Sequence, residues 1–242
     1  MNNLMSIGRN AFYECSALES IGNLNSVTNL KYRAFYSCSA LKTIGNLFNV
    51  MSIGEGAFAG CSSLESIGDL PNVKSIGNGA FGGANIWENG NSIGVKSVGD
   101  MPKLETIGSS AFYRCTALES VGDMSSVIDI DYFAFEGCAA LKSIGDMSSV
   151  TSIGRGAFTA CASLERIGDM PKLQTLDVIA FSNCDSLESV GNMGKLTTIG
   201  ESAFFNCGAL TSVGEIKSII NIGDFAFYDC ISLESIGALH SV

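Results

Sequence analysis

Apolar side chains recur along this chain at a fixed spacing. In the stretch from Ala57 to Gly79 the apolar slots are Ala57, Phe58, Cys61, Leu64, Ile67, Leu70, Val73 and Ile76. Most are separated by two polar or small residues. That spacing matches neither the 3.6-residue period of a long helix nor the strict alternation of a long strand. It predicts a coil of short straight segments and turns, each sending one or two side chains inward. Leu64-Glu-Ser-Ile67-Gly68 and Val73-Lys-Ser-Ile76-Gly77 read as two short strands, each closed by a glycine turn. Ala-Phe-x-x-Cys reads as a tight helical or irregular corner.

The pattern repeats. Ala-Phe occurs ten times, with Phe at 12, 35, 58, 81, 112, 135, 158, 181, 204 and 227. Every gap is 23 residues except that from Phe81 to Phe112, which is 31. The nine cysteines obey the same rule, and Ala84 fills the tenth slot. A 23-residue coil cannot bury its own apolar face, so the coils must stack. Stacking at the strand spacing of about 4.8 Å gives parallel sheets and a curved rod about 45–50 Å long. Residues 1–242 thus read as one solenoid of about ten coils, interrupted within 85–94. Neither end shows a polar capping segment, which points to a fragment or to end-to-end self-association.

The repeated text resembles a known family. Residues 52–67, SIGEGAFAGCSSLESI, and 152–167, SIGRGAFTACASLERI, look like the BspA-like class of leucine-rich repeats. The likeness recurs in register along essentially the whole chain. It implies an α/β-type, right-handed leucine-rich-repeat superhelix. It also implies adhesion or protein binding, often at microbial cell surfaces, and carries over no catalytic residue. One departure stands out: the family continues Ile-x-Ile-Pro, whereas this chain has Ile-Gly-Asp-Leu-Pro or Ile-Gly-Asp-Met-Pro. The strand after the leucine is therefore expected to be short.

Composition narrows the partners. Hydrophobic residues make up 46% and charged residues 16%, with a net charge of −10. That sign disfavours nucleic acid. No apolar run is long enough for a membrane-spanning helix, and residues 1–10 lack the pattern of a signal peptide. A protein or glycan partner is expected. His240 stands alone, and no catalytic pairing, phosphate loop or metal cluster appears, so neither enzymatic activity nor a cofactor is indicated.

Each ladder of equivalent positions has a structural and a functional reading. Cys61 and Cys138, with their equivalents, read as buried free thiols, and Phe58 and Phe135 as core rungs. Asp69, Asp100, Asp123, Asp146 and Asp169 share one turn slot with Asn23 and Asn46. Asp and Asn there cap tight turns through the backbone. The functional alternative is an acidic stripe for a cation or a basic partner. The slot after each Leu reads Glu19, Lys42, Glu65, Lys96, Glu119, Lys142 and then Glu165, which suggests register-setting across coils. The tyrosines that follow Ala-Phe read either as an exposed aromatic stripe or as side chains packed on the next coil. The insertion holds Trp87 beside Glu88. Trp is favoured as an interface anchor, though a tolerated insertion that folds back over Ala84 is the plainer account.

Overall fold

The structure is a computed structural model in which residues 4–82 and 94–237 are described. Ala84, Trp87, Glu88 and His240 lie outside them. Nineteen strands of two residues each make up the regular structure. They stack into a parallel β-solenoid of about ten turns, with no helix among the described residues. This corrects the α/β expectation. The Ala-Phe-x-x-Cys corner folds as turns because its peptide groups split their hydrogen bonds between coils, which a helix cannot do.

Each coil contributes a strand to each of two ladders. One ladder is an unbroken ten-stranded sheet from Ser6–Ile7 to Asn221–Ile222. The other is divided. Ser20–Ile21 pairs with Thr43–Ile44, then Ser66–Ile67, Ser97–Val98 and Ser120–Val121 form three strands. Four more run from Arg166–Ile167 to Ser235–Ile236, and Ser143 spans the gap through isolated pairings with Ser120 and Arg166. Register is conserved across the insertion: Ser66 faces Ser97 and Ser75 faces Thr106. The extra residues leave both ladders intact.

The corners form a third ladder. Phe58 N–H donates to the Ala80 carbonyl of the next coil at 2.7 Å, while Ala57 N–H turns back to Gly54. Gly56 and Gly60 likewise donate forward, to Asn78 and Gly82. Among the described residues, the geometry depends on left-handed backbone two residues before and two after the corner Phe. Gly56 (φ 60°) and Gly60 (φ 73°) adopt it, as do Arg33 (φ 50°), Phe133 (φ 55°) and Ile179 (φ 52°). The left-handed positions let every second N–H of the corner, at Gly56, Phe58 and Gly60, point forward to the next coil, whereas strand N–H groups such as those of Gly54 and Gly77 point back to the preceding one.

Between the ladders lies one continuous core. Phe12 through Phe227 form an unbroken column of ten parallel rings, with neighbouring centroids 4.9 to 5.5 Å apart. Phe58 and Phe135 are buried in it, beside Cys61 and Cys138. All nine cysteines are free thiols; seven are buried, Cys15 is exposed and Cys230 is half-buried.

Candidate functional site

The Asp column lies at the turn between the two ladders, and its side chains bond in two ways. Asn46 Oδ1 accepts from Phe48 N–H at 2.7 Å, and Asp123 and Asp146 accept from Ser125 and Ser148 N–H at 2.8 Å. These are turns closed within the coil, on the N–H two residues ahead. After Asp69, Asp100 and Asp169 that residue is Pro71, Pro102 or Pro171, which has no N–H to give. Their carboxylates instead cross to the next coil. Asp69 Oδ1 accepts from Asp100 N–H at 3.1 Å, Asp100 from Asp123 N–H at 2.9 Å and Asp169 from Asn192 N–H at 2.8 Å. A Cβ at Gly99, Gly122 or Gly191 would overlap the carboxylate of Asp69, Asp100 or Asp169, so these glycines make room for the side chain that crosses from the preceding coil.

From Asn46 onward the two modes track the divisions of the second sheet; Asn23 closes its own turn on Asn25 N–H although Ser20–Ile21 pairs with Thr43–Ile44. Crossing carboxylates sit inside its three- and four-stranded pieces. The sheet stops after Asn46 and thins to single pairings around Asp146, where the side chain closes its own turn. Among the described residues, no group of three or more His, Cys, Asp or Glu side chains is placed to hold a metal ion.

The charged slot beside the second ladder pairs in places. Lys42 meets Glu19 at 3.1 Å and Lys96 meets Glu65 at 3.4 Å. In the later coils Arg166 reaches Glu188 at 3.0 Å. All six side chains are exposed, so each pair contributes little to stability. The tyrosines divide between the two readings. Tyr36 is buried, with Arg33 over its ring and over that of Tyr32, whereas Tyr13 and Tyr228 are exposed.

A groove that the repeat pattern did not reveal runs along the outer face of the ten-stranded sheet. Its volume is about 740 Å³, within the range of ligand-sized clefts. The slot after each strand Ile or Leu is Gly in seven coils and Lys31, Asp131 and Asp177 in the others. Asp131 and Asp177 thus flank Gly154, one coil to either side, and stand two coils apart. Ser152, Thr175 and Thr198 line one side of the groove, and Tyr132, Val178 and Glu201 the other. Ser109 Oγ and Tyr132 N–H each donate to Asp131 at 2.7 Å, and Val178 N–H donates to Asp177 at 2.6 Å. The signal was present in the sequence: these Asp residues break a glycine column.

The repeat text, the ladders and the coil count meet in one comparison. The profile of the BspA type leucine rich repeat region matches residues 1–101, 91–211 and 178–242, in six copies. The chain belongs to this family. Two solved structures share its fold. A leucine-rich repeat protein of T. pallidum is 23% identical over 69% of this chain and 77% of its own, with a TM-score of 0.62. One from Bacteroides ovatus is 26% identical over 95% of this chain and 69% of its own, with a TM-score of 0.59. No protein of curated function matches the chain.

Proposed function

We propose that this BspA-type solenoid is a non-enzymatic adhesion module that binds a protein or glycan through its repetitive outer surface. The observation that carries the reading is the long ten-stranded face, whose outward Ser, Thr, Asn and Asp side chains recur once per coil. Such a surface offers many equivalent contacts in a line, which suits an extended partner. The exposed Asp column and the Trp87–Glu88 insertion are the residues we assign to partner contact. The test is a binding screen of the whole chain against immobilised extracellular-matrix proteins and glycans, repeated with Trp87→Ala. Saturable binding supports the module; loss of it in the variant assigns the insertion. A chain that binds no member of the panel overturns the adhesion reading.

The free thiols favour a second reading, an intracellular scaffold working in a reducing compartment. Lysis of the chain's own cells directly into denaturant with an alkylating reagent separates the two. Nine alkylated cysteines support the scaffold, and thiols blocked by oxidation count against it.

A further inference from the structure

We infer that the groove on the ten-stranded sheet holds an extended cationic segment of a partner protein, with basic residues at every third position. This rests on the reading of the chain as a binding module and adds to it a place and a chemistry.

Part of the groove lining is glycine. An added Cβ at Gly154 or Gly200 would run into the backbone of the preceding coil, so no side chain stands at these two positions. Its walls carry Asp129, Asp131, Asp177 and Glu201, and no Lys or Arg lines it. Asp177 bonds Val178 N–H through one oxygen, and its other oxygen makes no bond within the described residues. Tyr132, 53% exposed, lies against Gly154 and offers an aromatic face to a cation. The occupant that complements this surface is positively charged and narrow.

Spacing selects its form. Asp131 and Asp177 are separated by two coils, about 10 Å at the usual strand spacing. A polyproline II chain returns a side chain to the same face every three residues, about 9 Å along its axis. A basic residue at every third position therefore meets Asp131 and Asp177 in turn, and the hydroxyls of Thr175 and Thr198 are left to bond its peptide groups.

The test uses the whole chain and a fluorescein-labelled peptide of repeated Lys-Ala-Pro triplets, titrated at physiological salt. Glu-Ala-Pro triplets, and a peptide with the same lysines in one block, are the comparisons. We expect the lysine triplets to bind best. Combining Asp131→Asn with Asp177→Asn, or introducing Thr175→Lys alone, should weaken binding by about tenfold or more, and Glu119→Gln with Glu165→Gln, exposed beside the second ladder, by less than about twofold. The Asp→Asn changes keep the acceptors for Tyr132 and Val178, and Thr175→Lys leaves every turn untouched. Equal losses in the groove variants and the Glu→Gln control would mean that the general negative field binds the peptide, and would overturn the groove. So would unchanged binding in the groove variants. If matrix proteins bind and the triplet peptide does not, the groove fails and the module stands; if nothing binds, both fail.

Discussion

The thiol of Cys138 donates to the carbonyl oxygen of Phe112 in the preceding coil, 3.1 Å away. Every cysteine after Cys15 repeats this bond, so the thiols form a ladder pinned to the ring column. A ladder held this way leaves few thiols open to reagent. Ellman titration of the native chain should find Cys15 and Cys230 reacting quickly, with the seven buried thiols reacting only on unfolding. Rapid reaction of more than these two would mean that the corners open in solution.

Burial also sets the response to alkali. It pushes Cys115 up to about 12 and raises Cys138 and Cys184 well above the ordinary value of about 8.5. The unfolded chain loses these protons first. The stabilisation is therefore complete below about pH 8.5 and declines as the pH rises toward about 12. Melting temperature should fall across that window, and less steeply in Cys115→Ala than in the parent. Parallel curves would show that the buried thiols play no part.

Phe135 sits in the middle of the ring column, between Phe112 and Phe158. Phe135→Ala removes a fully enclosed ring and should cost about 3–5 kcal/mol. Because each coil touches only its neighbours, the damage should also separate unfolding into two steps. Urea unfolding followed by circular dichroism reads both effects. A loss below about 1 kcal/mol would contradict the column.

The ladders were legible because identical residues stack on themselves: one period predicts the Phe column, the Cys column and the two strands. The corner geometry was not. Its left-handed positions hold Gly56 and Gly156, but also Arg33, Phe133 and Ile179, so no residue type marks them. Hydrogen bonding to the next coil imposes that backbone whatever the side chain. The switch in turn bonding was written in part in Pro71, Pro102 and Pro171, but Asn192 also crosses, to Glu215 N–H, with Gly194 two residues ahead, and the relation to the second sheet emerges only when neighbouring coils are seen together. The groove was hidden differently. It arises where Asp131 and Asp177 depart from the repeat, and a search for regularity passes over departures.

For the turn column the question is whether Asp100 acts as a hydrogen-bond acceptor or as a charge. Asp100→Ala orphans the N–H of Asp123 and should cost about 1 kcal/mol. Asp100→Asn keeps an acceptor and relieves repulsion from Asp69 and Asp123, so its melting temperature at low salt should equal or exceed the parent's. If Asn is as damaging as Ala, the carboxylate charge itself is required, and a cation on the stripe becomes the better account.

Gly156 and Ile179 occupy the same corner slot in successive coils, at φ 60° and 52°. The backbone is shared, but its cost is not. A left-handed conformation costs an L residue about 1–2 kcal/mol, and β-branched side chains suffer most. At Gly156 an added Cβ would also press on the Phe133 ring. Gly156→Ala should therefore destabilise the chain by about 2 kcal/mol or more. Ile179→Asn should act in the opposite sense, stabilising by about 1 kcal/mol, because Asn accepts this backbone readily. The two changes alter one structural position in neighbouring coils, so thermal melts of the pair measure the strain directly. If Ile179→Asn lowers the melting temperature, packing of the Ile179 side chain outweighs the backbone cost, and the slot tolerates branched residues because they fill it.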